Sequence, residues 1–280
     1  MLIDTHAHLN FNAYKNDIDD VVKRSLDNNV WMINVGSQFS TSKRAVELTE
    51  KYPQGVYAAV GLHPIHLSDG IFKTKIDKEE IEFNTREEEF DCEQYKKLAQ
   101  SKKVVAIGEI GFYYWYRPKT KKKLEEFKNK QKETFLKQLG LAKELNLPVI
   151  FHCRAAHQDL IDSLGAKERG VIHCFSGNWQ EAEKYLNKGL YLGFNGIIFK
   201  LNLDETIEKA PLDRMLIETD CPYLTPPLPA EALAKAGPKP IRNEPIYVRY
   251  VAEKIAKIKK KSYQEISEIT AKNAKSLFAL

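Results

Sequence analysis

Histidine and carboxylate residues recur at the ends of short apolar runs. The first run closes with Asp4-Thr5-His6-Ala7-His8, where a spacing of two puts both imidazoles on one face of a strand. Glu109 follows the run 104–108, His152 follows 148–151, His173 follows 170–172, and Asp220 follows 215–218. His63 comes just after 56–60, in Val60-Gly61-Leu62-His63-Pro64. Ionisable groups emerging from apolar strands are costly unless something satisfies them, and a divalent cation does so. One such histidine reads as a hydrogen-bonded core or surface residue. Five separate runs delivering His, Glu or Asp at the same end read as a metal site. A Cys/His zinc cluster is the rival, because Cys153, Cys174 and Cys221 each follow a candidate ligand by one position. Strand alternation points these thiols away from the ligands, as small buried hydrophobes.

The elements that must carry these residues follow from the pattern. Eight strand-like runs occur at 2–4, 31–35, 56–60, 104–108, 148–151, 170–172, 190–193 and 215–218. Stretches of helical period lie between most of them, such as Phe127, Gln131, Phe135, Gln138, Leu139 and Ala142. Strand and helix alternating in this way call for parallel strands with crossover helices. Eight repeats predict a closed (β/α)8 TIM barrel, with the candidate ligands at the C-terminal mouth. Residues 1–280 read as a single domain with two insertions, at about 66–92 and 224–245. The second is proline-rich and leaves room for a short helix at 230–236. The tail 246–280 carries amphipathic stripes expected to close the outside of the barrel.

Composition narrows the class further. A length of 280 residues fits one such barrel, typically about 250 residues long. With 43% hydrophobic residues, the chain can bury a full core, which excludes disorder as its main state. No apolar run approaches the roughly 18 residues of a membrane span, and no export signal precedes the first strand. The four cysteines therefore read as reduced thiols of a cytoplasmic protein. No stable protein partner is implied. The net charge of +5 is mild, but its distribution is uneven. Segment 77–93 holds nine acids against two bases, and 117–132 holds eight bases against two acids. The basic stretch reads either as a solvated helix face or as a rim for a polyanion.

Seven segments together resemble the TatD-type metal-dependent hydrolases, amidohydrolase-like TIM barrels. They are Asp4-Thr5-His6-Ala7-His8, Gly61-Leu62-His63-Pro64, Gly108-Glu109-Ile110-Gly111, His152-Cys153-Arg154, His173-Cys174-Phe175-Ser176-Gly177, Glu218-Thr219-Asp220-Cys221-Pro222-Tyr223-Leu224 and Arg242-Asn243-Glu244-Pro245. The resemblance implies a site for two divalent ions, of Zn, Mn or Mg. His6, His8 and Asp220 would hold one, His152 and His173 the other, and Glu109 would bridge them. It implies hydrolysis of DNA phosphodiesters, often as a 3′-5′ exonuclease, by an activated water whose proton Asp220 takes. His63 would serve a phosphate oxygen or the leaving group, and Arg154 a phosphate. Arg242 and Asn243 would reach phosphate or anchor the proline-rich loop.

Two positions depart from the family pattern. Tyr113 and Ala155 stand where relatives commonly carry Asp. The aromatic set 112–116, with Tyr113 in it, and the following lysines, with Lys121 among them, fit stacked bases and phosphates or else simple packing. Other readings are a hydrolase of the same fold acting on another ester, such as D-aminoacyl-tRNA, and a non-catalytic nucleic-acid-binding protein.

Overall fold

In the computed structural model, which describes residues 1–68, 87–229 and 241–280, the apolar runs become eight parallel strands hydrogen-bonded in chain order. They are β1 (Leu2–Ala7), β2 (Val30–Val35), β3 (Val56–Val60), β4 (Val104–Tyr113), β5 (Val149–Arg154), β6 (Gly170–Ile172), β7 (Tyr191–Phe194) and β8 (Met215–Ile217). Between them lie α1 (Ile18–Asp27), α2 (Phe39–Glu50), α3 (Cys92–Leu98), α4 (Lys121–Glu144), α5 (His157–Ser163), α6 (Trp179–Asn187) and α7 (Asp204–Lys209). Two further helices follow, α8 (Val248–Lys259) and α9 (Tyr263–Phe278). This is the expected TIM barrel.

The ring closes between β1 and β8. Ala7 bridges Cys221, Asp220 N donates to His6 O at 2.8 Å, and His8 N donates to Cys221 O at 2.9 Å. Asp4, fully buried, accepts from the Thr219 N–H at 2.8 Å and the Thr219 hydroxyl at 2.5 Å. The aspartate of the first motif thus fastens the eighth strand's end to the first, two residues from His6.

β4 and β5 run further than their apolar cores. Gly111, Phe112 and Tyr113 pair with His152, Cys153 and Arg154. Gly111 is required here, because its φ is +150° and a Cβ would lie 2.0 Å from His152 O. The register shifts between Gly108 and Ile110, and again on β1 between Asp4 and Ala7. Glu109 and His6 sit at these two irregularities. A bulge re-aims a side chain, so the alternation that carries the apolar residues is broken where the ligands begin.

The stripe expected on α4 is buried as read, Gln131 and Gln138 included. Both amides clamp the backbone of neighbouring segments. Gln138 accepts from Leu62 N at 2.8 Å and donates to Leu62 O at 3.0 Å. Gln131 accepts from Tyr113 N at 2.9 Å and donates to Tyr113 O at 3.2 Å. One helix therefore fixes the two segments that present His63 and Tyr113.

The tail departs from expectation. α8 packs beside α7, β1 and β8, but α9 does not lie on the barrel's outer wall. Its Ala271, Ala274, Leu277 and Phe278 form one buried cluster with Ile3, Ile33, Val105, Ile150, Val171 and Leu216. Arg169, just ahead of β6, donates to Leu277 O at 3.0 Å. The helix therefore plugs the end of the barrel opposite the mouth, where the inward-facing apolar residues of the strand starts need a cover. The expected helix at 230–236 and most of the acidic segment fall outside the described residues.

Candidate metal centre

The six expected ligands converge. His6 Nε2 lies 3.1 Å from His8 Nε2, 3.5 Å from Glu109 Oε2 and 3.9 Å from Asp220 Oδ1. His8 Nε2 is 3.4 Å from Asp220 Oδ1. His173 Nε2 is 3.6 Å from Glu109 Oε1 and 3.8 Å from Asp220 Oδ1. His152 Nδ1 meets Glu109 Oε1. Ligand atoms fall within 4.8 Å of one another in the groups His6–His8–Asp220, His6–Glu109–His173 and His63–Glu109–His152. Glu109 stands at the centre, with a carboxylate oxygen toward both sides.

The hydrogen-bond partner of each ring sorts the histidines. His8 Nδ1 is 2.8 Å from Val35 O. A carbonyl only accepts, so Nδ1 carries the proton and Nε2 turns a bare lone pair inward. Glu218, itself fully buried, forms an ion pair with His173, its Oε1 lying 2.8 Å from His173 Nδ1. Carboxylate or carbonyl partners of this kind orient metal-binding imidazoles. His63 is reversed. It accepts from Ile65 N at 3.0 Å through Nδ1, which leaves Nε2–H as the donor aimed at Glu109, 3.6 Å away. His6 Nδ1 and His152 Nε2 are buried without a hydrogen-bond partner among the described residues. Bare lone pairs and two carboxylates crowded together in a buried space fit a divalent cation.

Charge is balanced within the cluster. Burial disfavours the charged form of Glu109, but His63, His152, His173 and His6 outweigh it and hold the carboxyl well below its ordinary range. Asp220 is depressed likewise, chiefly by His173 against the cost of burial. Burial lowers His6 and, more strongly, His63. His173 goes the other way. Burial alone would lower it, but Glu218, Glu109 and Asp220 together push it up to about 10.

The backbone at the mouth is strained. Ala155, Cys174 and Asp220 have φ of 56°, 47° and 58°, in the left-handed region that costs non-glycine residues energy and that clusters at functional sites. Cys174 corrects the alternation argument. It follows the end of β6, and its Sγ lies within 4.8 Å of ligand atoms of His173 and Asp220. Burial holds its thiol well above the ordinary range, and hence protonated. Cys153 and Cys221 are buried, as expected, and burial pushes both thiols up to about 12.

The expected substrate contacts divide. Arg154 is exposed and makes no ion pair among the described residues; its guanidinium lies 5.2 Å over Trp115 and 5.8 Å over Tyr113. Tyr113 stacks on His152 at 5.7 Å and 27°. Lys121 is exposed in the first turn of α4, whose start follows the mouth end of β4. Arg242 and Asn243, considered for phosphate, are tied into the protein instead. Arg242 reaches Asp17 at 2.6 Å, Glu244 at 3.2 Å and Ala13 O at 2.5 Å. Asn243, fully buried, donates to Thr219 O and Tyr223 O. These two anchor the second insertion rather than face the mouth. Glu218 is the residue whose part the sequence reading missed. Its signal was present, since it stands two positions before Asp220 in a buried run.

Comparison with known proteins agrees with this geometry. The family model described as TatD related DNase matches residues 3–279. The chain is 39% identical over 290 residues to YabD of Bacillus subtilis, named an uncharacterized metal-dependent hydrolase, with both chains covered in full. It is 32% identical over 290 residues to a Pantoea vagans protein named 3′-5′ ssDNA/RNA exonuclease TatD, again with full coverage of both. Among solved structures, YjjV of Escherichia coli, a TatD homologue, superposes with a TM-score of 0.76 at 28% identity, covering 100% of this chain and 98% of the other.

Proposed function

The chain belongs to the TatD related DNase family and is a hydrolase acting on ester bonds, and on that premise we propose that it cleaves phosphodiesters of nucleic acid from the 3′ end with two divalent ions. The observation that carries this reading is the convergence of four imidazoles and Asp220 around Glu109, with His8 fixed to turn a bare nitrogen inward. His6, His8 and Asp220 would hold one ion, His152 and His173 the other, and Glu109 both. The donor set, rich in imidazole, suits Zn better than Mg. Bound there, the ions would supply Lewis acidity toward phosphoryl oxygens and lower the pKa of a water. The Pantoea relative's name supports nucleic acid as the substrate and the 3′ end as the starting point.

The chain's own groups supply the rest. Asp220 is kept ionised by the surrounding imidazoles and can take a proton from the attacking water. His63 is kept neutral by burial, so it acts through its Nε2–H as a hydrogen-bond donor to a phosphate oxygen or the leaving oxygen. Arg154, exposed at the mouth, holds phosphate by paired N–H bonds. No described helix is long and apolar enough to cross a membrane. The four free thiols fit the reducing cytoplasm as its place of action.

The test is incubation of metal-loaded protein with 5′-end-labelled single-stranded DNA and RNA. Stepwise shortening with release of mononucleotides, abolished by chelator, is the expected result. Intact polymer alongside hydrolysis of D-aminoacyl-tRNA would move the assignment to another ester.

A further inference from the structure

Trp115 is 59% exposed, although most large apolar side chains of the described residues are buried. It is not an isolated surface residue. A series of flat groups leads to it from the metal centre. His152, beside Glu109, stacks on Tyr113 at 5.7 Å. Arg154 lies 5.8 Å over Tyr113 and 5.2 Å over Trp115. Arg117, Lys119 and Lys121 follow in sequence and are exposed, without an ion pair among the described residues. Gln131 pins the backbone of Tyr113 from α4, so the inner end of the series is fixed.

An exposed indole with a guanidinium laid on the ring, followed in the chain by exposed cations, has a specific chemical complement. It is a planar, electron-rich ring joined to phosphates, which is an unpaired nucleotide. A peptide or a lipid offers the ring or the charge but not both at this spacing. We propose that Trp115 is the stacking platform for the base of an unpaired nucleotide next to the scissile phosphodiester, while Arg154, held against the ring, takes the adjoining phosphate. This deepens the proposed activity and rests on it: it makes single-stranded polymer the preferred substrate and gives the preference to a residue outside the metal centre. A paired base cannot offer its face to Trp115, so a blunt duplex gains nothing from the platform.

The experiment compares the full chain with Trp115→Ala and Trp115→Phe. Binding of fluorescein-labelled single-stranded oligothymidylate, phosphorothioate-linked so that it is not consumed, is followed by anisotropy beside a blunt duplex of equal length. Metal content is measured in parallel by plasma mass spectrometry, and cleavage of ordinary oligothymidylate is followed on a gel. Trp115→Ala should weaken single-strand binding about tenfold, the order expected for loss of one stacked base. Trp115→Phe should restore most of it, and duplex binding and metal content should stay at the parent level. Unchanged single-strand binding overturns the platform, as does equal loss on single strand and duplex, or a parallel loss of metal. If the parent protein leaves ordinary oligothymidylate intact yet the loss on binding is selective, the proposed activity falls and the platform stands.

Discussion

The two banks of the barrel mouth are built differently. On the bank formed by β1, β6 and β8, most ligands are tied to a buried group from a distant part of the chain, although His6 keeps an unpartnered buried Nδ1. Val35 O holds His8, Glu218 holds His173, and Asp4 with Thr219 ties the bases of His6 and Asp220 together. On the bank formed by β4 and β5, Tyr113, exposed Arg154 and exposed Trp115 lie beyond His152. Here the support comes from outside, through two glutamines of α4 that grip backbone rather than side chains. The difference teaches a division of labour. Chemistry needs donors held to within a fraction of an ångström, so that bank is cross-tied. Recognition of a polymer tolerates adjustment, so Arg154 and Trp115 rise on a rim.

The comparison breaks first at Glu109, which faces both banks. Glu109→Ala should abolish turnover and release at least one ion, measured as bound metal by plasma mass spectrometry. Unchanged metal content with full activity would remove it as the bridge. Asp220→Asn comes next. Asparagine still offers an oxygen but cannot take the water's proton, so turnover should fall about 10²–10⁴-fold while metal content changes much less. Near-parental turnover would mean that another group is the base.

Glu218→Gln sharpens the contrast more gently, because the amide oxygen can still accept from His173 but carries no charge. Metal affinity should drop about 10- to 100-fold, as for other carboxylate partners of metal-bound histidines, and a chelator-competition titration reads it directly. No change in that titration would show the bank to be held without Glu218. The smallest effect belongs to the other bank. Reversing Lys121, Lys122 and Lys123 to Glu should weaken polynucleotide binding and make its salt dependence shallower, by about 0.7 in log–log slope per lost phosphate contact on a single strand. Bis-p-nitrophenyl phosphate, too small to reach α4, should be hydrolysed as before; equal loss on both substrates would mean that the substitution had damaged the fold.

Periodicity carried a great deal of this. Burial repeats every two residues in a strand and about every 3.6 in a helix, so the sequence alone determined the eight strands, the buried stripe of α4 and the polar residues that leave the barrel at one end. Local periodicity ends where the ligands begin. The register shifts at His6 and Glu109 and the left-handed turns at Cys174 and Asp220 re-aim side chains that alternation would have sent elsewhere. That is why Cys174 lies near the ligands and not behind them. Arg242 offered the same guanidinium on paper as Arg154, yet Asp17 and Glu244 claim it, which only the packing of the loop against α1 reveals. The proton positions that separate His8 from His63 were beyond the sequence for a physical reason. A ring's tautomer is set by whatever accepts from or donates to its far nitrogen. For His8 that partner is 27 residues away in the chain and arrives only when the barrel closes.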